Sequence, residues 1–222
     1  MDAIVFTFMD LSLAARWVLW NGTLAVIPVI LGYSALWISG LRSLKHLRYI
    51  LIALLLPVWF VFLPNTCYLV TEWRHFLHLL DSRDLFLRSQ VNNSLYVPLL
   101  ELSLFYMLYS GFGMATFTLA IRPIERLMRK KSIPMWCWAM PFFTMVSLGV
   151  YLGLVPRFNS WDLIHHSSII WNVTQDILTH PKLAAFIVLF GMFLWIAYEA
   201  LDLWIDGFSD RWKRITGKKT DH

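Results

Sequence analysis

The sequence predicts an all-α fold: a polytopic membrane helix bundle of about five transmembrane helices, with two short amphipathic or re-entrant helices on the outer face. Three observations predict it. The 222 residues are 58% hydrophobic and 15% charged, against about 45–50% and about 25% in ordinary soluble domains. Mean hydropathy is +0.59, with 12 Trp and 16 Phe. The apolar residues gather into stretches close to the roughly 20 residues that carry a helix across about 30 Å of hydrocarbon. This balance excludes a disordered chain, a coiled coil and most soluble folds. The chain reads as a single integral membrane domain, 1–222, and its two cysteines cannot build a disulfide scaffold.

The elements follow in order. Residues 1–16 carry Asp2 and Asp10 and no base before Arg16. A secretory signal needs a basic beginning, so this stretch reads as an interfacial lead into the first span. Spans are expected at about 17–39, 49–70, 95–121, 133–155 and 183–205, with a basic tail over about 207–222. The second span is irregular. Its apolar run from Ile50 to Leu63 is 14 residues, or roughly 21 Å of helix, so PNTCYLV (64–70) has to complete the crossing. Pro64 predicts a break and restart there, with Asn65 as N-cap, and residues 66–80 read as a helix with a polar stripe. In the connection 156–182, Asn159 three residues before Asp162 has the form of a helix start, and the segment after it reads as an amphipathic surface helix.

Charge sets the topology. The net charge is +5, but its placement points to a membrane and not to nucleic acid. Of the 19 Lys and Arg, 13 fall in three segments: Arg42, Lys45 and Arg48; Arg122 through Lys131; and Arg211 through Lys219. These segments alternate with charge-balanced ones at 64–94 and 156–182. The positive-inside rule then places the N-terminus outside and the C-terminus in the cytoplasm.

Several polar residues stand out against this background. Tyr68, Glu72 and His75 are four and three apart and share a helix face, with His78 three further on. A carboxylate and an imidazole at i and i+3 can exchange a proton or contribute to a metal site, although carboxylate-bridged metal sites use such pairs from several helices. Glu101 lies within the third span, where an unpaired carboxylate costs several kcal/mol, and Arg157 is its candidate partner. Arg157, Asn159 and Asp162 cluster in the second outer connection, beside Trp161, which suits an interfacial belt. Glu199, Asp202 and Asp206 form an acidic stripe able to pair with Arg122 or Arg126, and read as structural. His165 and His166 point about 100° apart on a helix and read as ordinary surface residues. Cys67 and Cys137 are expected at opposite sides of the bilayer, unbridged.

Two segments, PNTCYLVTEWRH (64–75) and GVYLGLVPRFNSWD (149–162), resemble the signature regions of the bacterial membrane family known as domain of unknown function 1361. Pro64, Asn65, Tyr68, Thr71, Glu72 and His75 match the first region. Tyr151, Leu152, Gly153, Arg157, Asn159, Ser160, Trp161 and Asp162 match the second. Glu72 stands where the family more often has Asp, and Cys67 where Pro or a small residue is common. The resemblance implies a bacterial cytoplasmic membrane and brings no established activity.

Because both signatures fall on one predicted side, the sequence points to a shared polar pocket at the non-cytoplasmic face. Glu72, His75 and Asp162 are the catalytic candidates and the donors for a divalent metal, the one cofactor class they suggest. Asn65, Tyr68, Glu101, Arg157, Asn159 and Trp161 are the binding candidates. The ligand classes are a lipid headgroup, a lipid-linked substrate or a metal ion. Two other readings use the same residues: a partner subunit or assembly factor held by an ion-pair and cap network, and a transporter with Glu101 and the Pro64 break on an ion path.

Overall fold

The computed structural model describes residues 8–41, 46–82, 84–129, 136–158, 162–165 and 167–217. They form α1 (Phe8–Gly40), α2 (Leu47–Phe62), α3 (Pro64–Thr71), α4 (Trp73–Ser82), α5 (Leu85–Val91), α6 (Tyr96–Arg129), α7 (Trp136–Leu154), α8 (Asp162–His165), α9 (Ser167–Thr179) and α10 (Pro181–Ile215). Five stretches are long and apolar enough to cross a membrane: Arg16–Gly40, Leu47–Ser82, Asn93–Arg129, Trp136–Leu154 and Pro181–Ile215. Their number matches the five expected spans, the second, third and fifth running past the expected ends, and the chain is a multi-pass membrane protein.

Close contacts fix the direction of each span. Gly22 lies beside Phe112 and Gly32 beside Ala120, so α1 and α6 run parallel. Gly113 meets Thr66 and Leu69, while Ser110 reaches the carbonyl of Leu69, so α3 and α6 are antiparallel. Pro64 meets Gly149 and Tyr68 meets Gly153, which makes α3 and α7 parallel. Ser147 Oγ donates to the carbonyl of Ile187 and Gly191 abuts Thr144, so α7 and α10 are antiparallel. The five crossings therefore alternate. One end of the bundle gathers the start of α1, the end of α3 and the end of α7; the other gathers the basic ends of α6 and α10.

The break at Pro64 is milder than the sequence predicts. Leu63 stays in the right-handed helical region (φ −57°, ψ −41°), and so does Glu72 between α3 and α4 (φ −64°, ψ −12°). Asn65 is not the N-cap. Leu63 holds that position without a side-chain cap, and Asn65 lies one residue inside, after Pro64. The reason is local. Pro64 brings no N–H, and Thr66 N–H turns to the carbonyl of Leu63 (3.1 Å), leaving the Phe62 carbonyl short of its usual donor. Asn65 Nδ2 fills the gap by donating to it at 3.0 Å. Thr66 Oγ1 likewise donates to Leu63 O at 2.7 Å, and Thr71 Oγ1 to Tyr68 O at 2.8 Å. Much of the motif's polarity thus satisfies its own backbone.

That local satisfaction lets a polar segment lie at the centre of the bundle. Pro64, Asn65, Thr66, Cys67 and Leu69 are all buried, packed among α1, α6 and α7. The core around them contains Trp59, Leu63, Phe117, Phe143, Leu194 and Tyr198. Trp59 stacks on Phe142 with ring centroids 6.0 Å apart, and its Nε1 donates to the carbonyl of Ala120 at 3.0 Å. Trp59→Phe is expected to lower stability by about 1–2 kcal/mol through the lost hydrogen bond and a small void. Unfolding in mixed micelles with graded SDS measures it.

At the basic end, Arg122 pairs with Asp202 and Asp206 of α10. Glu125 accepts from Tyr198 and from Arg129 (2.5 Å), and Glu199 accepts from Trp195 Nε1 at 3.0 Å. Arg122, not the exposed Arg126, takes the acidic stripe, and Glu199 stays outside that pairing.

Candidate functional site

Three elements converge at the end of the bundle opposite this network. On α1, Trp17, Trp20, Asn21 and Leu24 fall at i, i+3, i+4 and i+7 and make one face. Asn65, Tyr68, Glu72 and His75 continue one face through α3 into α4. Past the end of α7, the chain brings Arg157 and Phe158 over the same space. Together with Gly153, Leu154 and Arg74 these residues line a cavity of about 370 Å³.

Small residues make the convergence possible. Gly149 and Gly153 are four apart and point at α3. A Cβ at Gly149 would lie 2.6 Å from Pro64 Cγ, and one at Gly153 would overlap the Tyr68 hydroxyl outright. This is the small-x-x-x-small pattern by which membrane helices approach closely. Tyr68 OH lies 3.4 Å from the carbonyl of Gly149, a long contact that still aims the phenol along α7.

The carboxylate of Glu72 is nearly buried and the imidazole of His75 half exposed (side chains 8% and 47% accessible); Glu72 Oε2 lies 2.5 Å from His75 Nδ1. A carboxylate at Nδ1 fixes the ring orientation and leaves Nε2 as the group presented outward. The Trp17 ring packs edge-on against His75, with centroids 5.5 Å apart. The walls therefore carry two guanidinium groups, Arg74 and Arg157, against one carboxylate already engaged by a histidine.

Arg157 has an unusual backbone. Its φ is 61°, the left-handed region that favours glycine. The turn it makes lets Phe158 N–H reach back to the carbonyl of Leu152 at 3.0 Å and closes the end of α7. Holding a side chain there costs about 1–2 kcal/mol relative to glycine, and that side chain lines the cavity.

Of the residues singled out from sequence, Asn65, Tyr68, Glu72, His75 and Arg157 come together here. Glu101 does not. It is exposed on α6, lines no part of the cavity and has no ion-pair partner among the described residues, Arg157 included. Asp162 opens α8, half buried, and is not part of the cavity lining. Asn159 and Trp161 lie outside the described residues. Among the described residues, no three of His, Cys, Asp and Glu assemble into a metal-binding group; Glu72 and His75 alone supply two donors. Cys67 is buried and Cys137 exposed, both free.

Sequence reasoning missed Trp17, Trp20, Asn21 and Arg74. The i, i+3, i+4, i+7 spacing on α1 was visible, as was the Gly149–Gly153 pair, but neither says which helix lies opposite.

Comparisons with curated proteins and with solved structures gave no match. A family model described as protein of unknown function (DUF1361) matches residues 20–197, a range that holds most of the cavity lining, nearly all of the first span, the whole of the next three and the first half of the fifth. The chain therefore belongs to the DUF1361 family.

Proposed function

We propose that the cavity binds the phosphate-bearing headgroup of an anionic lipid or lipid-linked molecule at the non-cytoplasmic face of the membrane. Arg157 carries this reading. Its left-handed backbone places it in the lining of a cavity whose other acidic or guanidinium residues, among the described residues, are Arg74 and Glu72, the latter engaged by His75. Guanidinium groups bind phosphate through paired, charge-assisted hydrogen bonds. Asn65 and Tyr68 add neutral polar groups. His75, oriented by Glu72, would present Nε2 to the bound headgroup and could take or return a proton there.

Two substitutions at one position test the reading. Arg157→Ala is expected to lower retention of phosphatidylglycerol about tenfold or more, read by native mass spectrometry from detergent, since a hydrogen bond to a charged group contributes about 1.5–3 kcal/mol. Arg157→Gly should lose retention equally while keeping stability within about 1 kcal/mol of wild type, because glycine accepts the left-handed turn. Unchanged retention in both variants rejects the headgroup site.

The orientation is part of the same proposal. The basic ends of α6 and α10 would face the cytoplasm, placing the cavity outside. A membrane-impermeant maleimide is expected to label exposed Cys137 only in inverted vesicles, and to leave buried Cys67 unlabelled from either side. Labelling of Cys137 in right-side-out vesicles reverses the assignment.

A further inference from the structure

An apolar groove runs along the face of α1 adjoining the cavity face. Val18, Gly22, Val26 and Ile30 line it on one side, and Tyr109 and Phe112 of α6 on the other. Val18 to Ile30 is 13 residues, a rise of about 18 Å along the helix, close to the roughly 15 Å of a single hydrocarbon leaflet. The groove starts level with Trp17 and Trp20, at the cavity end, and heads toward the middle of the bundle. Trp17 joins the two spaces: its ring lies 5.5 Å from His75 in the cavity and 6.0 Å from Tyr109 in the groove wall.

We infer that one anionic phospholipid occupies both spaces, its phosphate in the cavity and one acyl chain in the α1–α6 groove. The inference rests on the headgroup reading above and adds a defined seat for the chain. Polar lining at the headgroup level, a continuous apolar lining below it and one leaflet of length match the layout of a single lipid molecule. Gly22 keeps the groove open. A Cβ there would meet only Phe112 Cε1, at 3.9 Å, an ordinary contact, so a side chain can start from this position toward the groove.

The experiment uses the full chain in nanodiscs doped with phosphatidylglycerol carrying a diazirine in one acyl chain. Photolysis is expected to concentrate adducts on peptides covering 18–30 and 109–112, and excess unmodified phosphatidylglycerol should suppress them at least severalfold. A matching phosphatidylcholine probe should label those peptides no more than other lipid-facing ones. Gly22→Leu and, separately, Thr23→Leu, at an exposed position that also lines the groove, should remove the groove adducts while leaving headgroup retention by native mass spectrometry intact. Adducts spread evenly over the lipid-facing helices, with retention still sensitive to Arg157→Ala, would overturn the groove inference and leave the headgroup site standing. Groove adducts indifferent to lipid charge, together with retention unchanged in Arg157→Ala, would overturn both, because any bilayer chain would then suffice.

Discussion

Gly113→Ala is expected to destabilise the protein by about 1–3 kcal/mol, the usual cost of forcing one carbon into a filled core. The added Cβ would lie 2.6 Å from Leu69 Cβ and 2.8 Å from the carbonyl oxygen of Thr66. Neither atom can swing aside, since one is fixed to the backbone and the other belongs to it. Retreat is blocked as well, because α3 is packed against α1 and α7 on its other sides. A control lies two residues away. A Cβ added at Gly111, on the same helix, would meet nothing within 4 Å, so Gly111→Ala should stabilise by about 0.5–1 kcal/mol through helix propensity alone. Opposite signs in SDS-titrated unfolding would establish that α3 sits against α6 at backbone contact. Equal and small effects would show the two helices to be further apart. Because Tyr68 and Glu72 lie beside Leu69 along the same run of helix, Gly113→Ala should also weaken phosphatidylglycerol retention from a distance.

The second large effect is expected at the basic end. Arg122→Met leaves Asp202 inside the α6–α10 contact without its cation, and removing one member of a buried pair costs about 3–5 kcal/mol. Asp202 is the member that suffers, at 15% side-chain accessibility; Asp206, at 60%, can turn to water. Asp206→Asn should therefore cost less than about 1 kcal/mol. Removing both members of the inner pair, as Arg122→Met with Asp202→Leu, should recover most of the loss. A double variant as unstable as Arg122→Met would mean that the guanidinium acts by some means other than its pairing with Asp202. Phosphatidylglycerol retention is expected to survive in the folded fraction of the double variant, because this network lies at the other end of the bundle from the cavity.

The five spans were legible because insertion into hydrocarbon is a sum over consecutive residues, and a run such as ILIALLLPVWFVFL states its preference without help from the rest of the chain. That the acidic stripe pairs with a cation at the end of α6 was legible for a similar reason, since Asp202 and Asp206 are four apart on one helix; that Arg122 and not Arg126 takes it, and that Glu199 stays out, was not. The motif residues Asn65, Tyr68, Glu72, His75 and Arg157 could be named from their types and spacing. Their company could not. Nothing in the sequence near Glu72 announces Trp17 or Asn21 as neighbours. Glu101, chosen because a carboxylate within a span is costly, lies on an exposed face of α6 away from the cavity.

The sequence by itself determined that the chain is a multi-pass membrane protein, the number of its spans and the polar residues worth placing, since each is a property of a short stretch. Only the tertiary structure decided that the proline-kinked segment 64–71 is the centre of the bundle, and that α1 and the end of α7 close over one side of it. That decision rests on Gly113 letting α6 meet the backbone of α3, and on Gly149 and Gly153 leaving room for the Pro64 and Tyr68 side chains. Steric fit between helices depends on both partners at once, and the partners are distant in the chain.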